Sequence, residues 1–118
     1  IIHQHPSFDA ALTAEGSFRD FRELTDCIVR LNNGGVVLNF GSAVILPEVF
    51  LKALNLCRNL GFAVKDFVSA NFDMIHHYRP LQNIVSRPTA SGGKGHYIIG
   101  HHEIMLPLVA QAVIEKIK

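Results

Sequence analysis

The feature that most constrains the fold is a run of strand-forming residues from Gly35 to Phe40. Apolar side chains lie on both alternating faces of this run, a pattern typical of a central parallel strand covered by helices on both sides. The run ends in Gly41-Ser42-Ala43, and Pro47 and Glu48 then mark a helix start. Proline is tolerated in the first helical turn, and a carboxylate there meets the positive end of the helix dipole. These signals predict a strand, a tight turn and a helix.

The two-sided apolar pattern also predicts where the strand lies in the sheet. We expect four of its residues to be buried in a central strand: Val36, Val37, Leu38 and Phe40. If that packing is tight, the substitution Leu38→Ala costs on the order of 2–5 kcal/mol of stability.

Boundary residues and apolar spacing predict the remaining elements. Strands are expected at residues 1–4, 62–72, 83–87 and 96–99, and helices are expected from Ser17 onward, at 47–60 and at 104–117. This alternation predicts a Rossmann-like three-layer α/β domain, with a mostly parallel sheet and helices on both faces. A chain of 118 residues has the size of one domain, spanning 1–118. Because Ile1-Ile2 opens directly into a predicted strand, we expect the C-terminal part of a longer chain.

Composition excludes several classes of protein and partner. Hydrophobic residues make up 48% of the chain and charged residues 18%, which argues against disorder. The net charge is only +1 and the basic residues are scattered, so no nucleic-acid partner is expected. No apolar run is long enough for a membrane span, so no membrane partner is expected. Cys27 and Cys57 lie in predicted helices, are flanked by apolar residues and lack C-x-x-C spacing, which predicts two buried thiols in a reducing cytoplasm.

Polar residues cluster where the predicted strands end and helices begin. Ligands of open parallel sheets bind in the crevice outside the carboxyl ends of the strands, so these clusters predict a ligand site. The candidate ligand-binding residues are His5, Ser7, Asp9, Asn39, Gly41, Ser42, Asp73, Gly100, His101 and His102.

The Gly41-Ser42 turn is the sharpest of these elements. A glycine there lets backbone amides approach an anion, and the following helix adds its dipole. The turn lacks both the G-x-G-x-x-G pattern and the lysine of a P-loop, so a purely structural turn is the open alternative.

Two other chemistries are weighed against anion binding. His3 and His5 share a face of the predicted first strand and His101-His102 could approach them, but no carboxylate stands at a ligand spacing, so no metal is expected. Ser7 and Ser42 are candidate nucleophiles, with His5 or His101 as bases and Asp9 or Asp73 as orienting groups. The G-x-S-x-G pattern of a nucleophile elbow is absent.

Three stretches of the chain resemble a known fold family. They are His3-Gln4-His5-Pro6-Ser7-Phe8-Asp9, residues 39–53 with Asn39-Phe40-Gly41-Ser42-Ala43-Val44 and Pro47-Glu48-Val49-Phe50-Leu51-Lys52-Ala53, and Gly100-His101-His102-Glu103. The stretches resemble bacterial proteins of the deoxyhypusine-synthase-like NAD/FAD-binding fold. The resemblance implies a Rossmann-like domain with dinucleotide binding as the ancestral theme. It does not imply hypusine synthesis, because the lysine-bearing catalytic segment of the true synthases is not found here.

The leading expectation is a binding domain for a small molecule: a nucleotide, a dinucleotide such as NAD, or another phosphorylated ligand. One alternative is a structural or oligomerisation domain without a ligand, and another is a metal-assisted hydrolase that uses the histidines. Whether a reaction is catalysed and whether the chain forms a homo-oligomer are left open by the sequence.

Overall fold

The computed structural model describes residues 2–118. After a 3-10 turn at Ile2–Gln4, the elements in chain order are α1 (Ala10–Val29), β1 (Val36–Phe40), α2 (Ile45–Asn59), β2 (Phe67–Asp73), α3 (Tyr78–Pro80), a π-helix (Leu81–Ser86), α4 (Arg87–Thr89), β3 (Gly93–Ile99) and α5 (His102–Ile117).

The three strands form one sheet in the order β1-β2-β3, with both pairs parallel. The register pairs Phe40, the last residue of β1, with Phe72 of β2, and it pairs Asp73 of β2 with Ile99 of β3. The prediction of an α/β domain with a parallel, Rossmann-like sheet is therefore confirmed. The connection through α2 has the strand-helix-strand form that parallel neighbours require.

One face of the sheet carries the hydrophobic core. Phe67 at the start of β2 is fully buried against α2, whose Ala53, Leu54 and Cys57 are also fully buried. Ile28 of α1 packs in the same cluster, so α1 lies on α2 rather than directly on the sheet. By alternation and register, the covered face presents Val37, Asn39, Phe67, Ser69, Asn71, Asp73, Gly93, Gly95 and Tyr97.

The opposite face of the sheet corrects one prediction. Val36 is 57% exposed and Leu38 is 44% exposed, so the expected burial of both faces of β1 is wrong. The physical reason is position: within residues 2–118, β1 is an edge strand and β2 is the central one. Val37 and Phe40 are only partly buried. We call this opposite face the open face; its residues are Val36, Leu38, Phe40, Val68, Ala70, Phe72, Lys94, His96 and Ile98.

The segment between β2 and β3 is helical, which corrects a second prediction. Residues 83–87, expected as a short strand, lie in the π-helix and in α4. Tertiary packing overrides the local strand preference here, because Ile84 is buried in the core and its carbonyl accepts a hydrogen bond of 2.6 Å from Ser69 Oγ. Gly95 of β3 lies against the Val85 carbonyl, where a Cβ atom would collide. The glycine thus lets the π-helix lie close on the sheet.

The start of the chain corrects a third prediction. Residues 2–4 of the predicted first strand form a 3-10 turn, and Ile1 lies outside the described residues. Helix α1 begins at Ala10 rather than at Ser17, because Asp9 provides the cap: its Oδ1 accepts a hydrogen bond of 2.9 Å from the Leu12 amide. The helix therefore starts two turns earlier than its apolar spacing indicates.

The last helix, α5, has little contact with the rest of the chain. It begins at His102, close to the predicted boundary, and none of its residues is buried. Ile104, Leu106 and Leu108 are each more than half exposed. Among the described residues, no helix combines the length and the apolar character needed to cross a membrane.

Candidate functional site

The site lies at the carboxyl edge of the sheet, where β1 and β2 end in the same Asn-Phe pair. Register places Asn39 beside Asn71 and Phe40 beside Phe72. Asn39 Nδ2 donates to Asn71 Oδ1 at 2.6 Å and to the Ser42 carbonyl at 2.9 Å. The two phenylalanine rings stack on the open face with centroids 4.3 Å apart. This pairing ties the Gly41-Ser42 turn to the neighbouring strand.

The turn itself uses some backbone amides and leaves others without partners. The Gly41 amide donates to the Phe72 carbonyl at 3.0 Å, and Ser42 Oγ accepts from the Leu46 amide in the first turn of α2. The next amides, of residues 42–45, donate to no group within residues 2–118. Four consecutive amides at the positive end of a 15-residue helix are a suitable surface for an anion.

Gly41 adopts a φ of +73°, a left-handed conformation that favours glycine. A Cβ atom at this position would lie 3.2 Å from His102 Nε2, so the turn is in close contact with the start of α5. His102 Nε2 also lies 4.0 Å from Asp73 Oδ1. His102, three residues after the end of β3, therefore lies beside the ends of β1 and β2.

Asp73, the last residue of β2, is 7% exposed. Its Oδ1 accepts a hydrogen bond of 2.8 Å from the Met74 amide, and His77 Nε2 lies 3.7 Å from its Oδ2. The loop bearing His77 is held by Tyr97, whose hydroxyl accepts from the His77 amide at 2.8 Å and donates to the Ile75 carbonyl. A nearly buried carboxylate therefore faces two histidines.

Three buried polar atoms at this edge have no hydrogen-bond partner among residues 2–118: Asn71 Nδ2, Asp73 Oδ2 and His102 Nδ1. Asn71 is fully buried, and its other side-chain atom is already used by Asn39. Buried polar groups are normally satisfied by protein, water or ligand. Asn71 and Asp73, two positions apart on the same face of β2, thus present one unpaired donor and one unpaired acceptor, which water or a ligand hydroxyl can satisfy.

A second polar network borders the start of α2. Glu48 Oε1 accepts a hydrogen bond of 2.7 Å from Asn83 Nδ2 in the π-helix, and Arg79 Nε lies 3.9 Å from the same oxygen. Arg87 Nη1 donates to Asn83 Oδ1 at 3.3 Å. Single π-helical turns are often found near functional sites. Arg79 of α3 and Arg87 of α4 flank the π-helix, and Asn83 and Glu48 connect them to the first turn of α2.

Six of the predicted site residues are brought together by the structure: Asn39, Gly41, Ser42, Asp73, Gly100 and His102. The Gly100 amide donates to the Asp73 carbonyl at 3.0 Å, which extends the ladder between β2 and β3. His101 is adjacent in sequence but exposed, and its Nδ1 lies 3.7 Å from Glu103 Oε1. His101 precedes the first residue of α5 and does not share the contacts of His102.

The other three predicted residues, His5, Ser7 and Asp9, lie in a separate concavity. It has a volume of about 860 Å³ and is lined by residues 2, 4–9, 12 and 13 alone. Ser7 Oγ lies 2.7 Å from His5 Nδ1, and Asp9 caps α1. In the described part of the chain, no hydrogen bond or ion pair links these three residues to the sheet edge.

Sequence reasoning missed the residues that complete this edge. Asn71, His77 and Tyr97 were not among the candidates, although Asn71 has the same environment as Asn39. The repeated Asn-Phe pair at two strand ends was the available signal, since paired parallel strands of equal register place such residues side by side. No sequence signal indicated that Tyr97 holds the His77 loop.

The histidines do not assemble into a metal centre in the described residues. No group of three or more His, Cys, Asp or Glu side chains within 2–118 is arranged to hold a metal ion. The metal-assisted hydrolase therefore gains no support from the geometry.

Comparisons with protein-family models, with curated proteins and with solved structures gave no match for this chain. The resemblance to the deoxyhypusine-synthase-like fold stays a prediction.

Proposed function

We propose that the chain binds a phosphorylated small molecule of the nucleotide or dinucleotide class, NAD included, at the carboxyl edge of its sheet. The observation that carries the proposal is that one edge of the sheet holds four unpartnered amides, those of residues 42–45, and also the unpartnered buried atoms Asn71 Nδ2 and Asp73 Oδ2. The amides and the dipole of α2 favour a phosphate.

The buried pair on β2 favours a second ligand group next to that phosphate. A sugar hydroxyl donates to a carboxylate oxygen and accepts from an amide nitrogen, so hydroxyl groups match the chemistry of both Asp73 Oδ2 and Asn71 Nδ2. A bare anion satisfies only the amide nitrogen and meets repulsion from Asp73. The chemistry of the edge therefore supports a ligand that carries both a phosphate and hydroxyl groups.

The charges around the turn support the same ligand class. Glu48 lies in the first turn of α2 and opposes an anion there, but Arg79 lies 3.9 Å from its carboxylate. Arg79 lies next to Glu48, and Arg87 is connected to Glu48 through Asn83, so two positive charges belong to the network that borders this turn. Guanidinium groups suit phosphate because their donors match its oxygens in pairs.

The test is calorimetric titration of the chain with NAD, ADP and inorganic phosphate, each against the variants Gly41→Val and Gly61→Val. Both glycines have positive φ, so each substitution places a valine in a backbone conformation that side chains disfavour. Gly41 precedes α2 and borders the site, whereas Gly61 follows the opposite end of α2. Gly61→Val is therefore the control for backbone strain at positive φ, and Gly41→Val additionally presses on His102.

We expect binding of NAD or ADP by the parent chain and by Gly61→Val, and a loss of at least about tenfold in affinity for Gly41→Val. Inorganic phosphate binds more weakly than either nucleotide if the hydroxyl subsite contributes. Unchanged affinity in a folded Gly41→Val variant contradicts the anion cradle. No heat with any of the three compounds favours the ligand-free structural domain.

The proposed setting is the reducing cytoplasm. Both cysteines are free. Cys57 is buried in the core, where its thiol is 3.4 Å from the Thr25 carbonyl, but Cys27 is exposed, so the prediction of burial is wrong for Cys27. This arrangement supports two thiols rather than a disulfide.

A further inference from the structure

Helix α5 presents an apolar surface that the chain itself does not cover. Between residues 104 and 114 the only polar side chain is that of Gln111. Leu106, Val113 and Ile117 recur at spacings of seven and four, so they form one stripe, and they are 54%, 50% and 80% exposed. A helix that is apolar all round is normally buried in a larger structure.

The open face of the sheet is the complementary feature. Val36 and Leu38 lie on it at the β1 edge and are 57% and 44% exposed, whereas Ala70 and Phe72 of the central strand are 6% and 4% exposed. Parallel sheets almost always have both faces covered by helices. One chain therefore has an exposed apolar strip along β1 on this face and also a helix, α5, whose apolar residues are largely exposed.

The surface area of the chain points in the same direction. The solvent-accessible area is 8065 Å², whereas a compact monomer of this mass is expected to expose about 6,400 Å². The radius of gyration is 16.1 Å, against about 13.5 Å for a compact domain of this length. The surplus area exceeds the roughly 800 Å² that each partner buries in a standard interface.

We propose that the chain forms a two-fold dimer in which α5 of each copy packs, through its Leu106 stripe, on the open face of the other copy's sheet. The exposed β1 strip of one copy, with Val36 and Leu38, is then covered by the exposed helix of the other. This contact is self-complementary and closes after two copies, as an isologous interface must. We infer a second copy as the partner because each chain carries both surfaces of the interface, the open face of the sheet and the Leu106 stripe of α5.

Sedimentation equilibrium of the full chain tests the assembly. We expect a dimer for the parent chain, and a dissociation constant raised at least about tenfold by Leu38→Glu and by Val113→Glu, because each buries a carboxylate in an apolar contact. Gln111→Glu adds the same charge to another side of α5, and Phe18→Glu adds it to an exposed site on α1. Both controls keep the parent dissociation constant.

Disulfide trapping tests which surfaces meet. In a Cys27→Ser background, one chain carries Leu38→Cys and another carries Val113→Cys, so a mixed disulfide forms only between copies. We expect the mixture to give a covalent dimer under mild oxidation, with neither variant giving one alone. A parent chain that stays monomeric overturns the proposal. A dimer unaffected by Leu38→Glu and Val113→Glu, or one trapped by Val113→Cys alone, overturns it equally, since α5 then pairs elsewhere.

Discussion

The Nε2 atom of His102 lies 4.0 Å from Oδ1 of Asp73, so the first residue of α5 faces the last residue of the central strand. The same nitrogen lies 3.2 Å from the position that a Cβ atom on Gly41 would occupy. His102 therefore fills the space between the ends of β1 and β2. Gly41 and Asp73 both lie next to His102, so we expect a change at either position to alter the surroundings of this ring.

Gly41→Ala is expected to destabilise the fold more than Gly61→Ala. Both substitutions place a Cβ at positive φ, which costs about 1–2 kcal/mol, but only the first also presses on His102. The double variant Gly41→Ala/His102→Ala should recover the part due to the contact. Urea unfolding of these three variants, of His102→Ala and of the parent chain measures this coupling. Equal costs for the two glycine variants would show that the His102 ring moves aside freely.

Leu54→Ala should cost about 2–5 kcal/mol of unfolding free energy, because Leu54 is fully buried between α2 and the sheet. Leu38→Ala should cost about 1 kcal/mol or less in the monomer, since Leu38 is 44% exposed on the open face. Denaturant unfolding at concentrations low enough for the monomer distinguishes the two. A larger loss for Leu38→Ala than for Leu54→Ala would contradict the edge position of β1.

Arg58 ties the end of α2 to the segment before β3. Its guanidinium donates to the Val64 carbonyl at 3.0 and 2.8 Å, to the Pro88 carbonyl at 2.8 Å and to Ser91 Oγ at 2.9 Å. Arg58→Met keeps the aliphatic stem but removes every donor, so we expect a loss of about 2–3 kcal/mol. Arg58→Lys restores only part, because one ammonium cannot span these acceptors. Thermal unfolding of the three chains should rank parent, lysine and methionine in that order.

The two cysteines should differ in reactivity. Burial raises the pKa of the Cys57 thiol above its ordinary value of 9.0 and closes it to reagents, whereas Cys27 is exposed. Labelling of the native protein with a thiol reagent should therefore modify Cys27 alone and reach Cys57 only after unfolding. Rapid modification of both thiols in the native state would contradict the packing of α1 on α2.

The same shift gives stability a pH dependence. The folded state disfavours the Cys57 thiolate, so this contribution to stability is complete below pH 9.0 and is lost as the pH rises through the raised pKa. The unfolding free energy should fall by up to about 1.4 kcal/mol per pH unit above that value. A Cys57→Ala variant should lack this part of the fall. Urea unfolding of both chains between pH 8 and 10 measures the difference, which corresponds to about one proton released on unfolding.

Much of the fold could be predicted from the sequence because its signals are local. Glycine, proline and apolar spacing give the backbone preference of each segment, and these predicted β1, α2, β3 and α5 close to their observed bounds. The sequence also predicted that the polar strand ends lie together, since parallel strands must bring Asn39, Ser42 and Asp73 to one edge. The sequence did not predict that segment 81–89 is helical, because the buried contact between Ile84 and Ser69 outweighs the strand-like composition of this segment.

The sequence by itself determined which segments form strands and helices, that the sheet is parallel, and that polar groups gather at its carboxyl edge. Only the tertiary structure decided that β1 lies at an edge and that His5, Ser7 and Asp9 line a separate concavity. The tertiary structure also decided that Asn71 Nδ2 and Asp73 Oδ2 have no hydrogen-bond partner among residues 2–118. The physical reason is range: backbone preference depends on neighbours in sequence, whereas strand order, burial and hydrogen-bond satisfaction depend on groups that the fold brings together from distant positions.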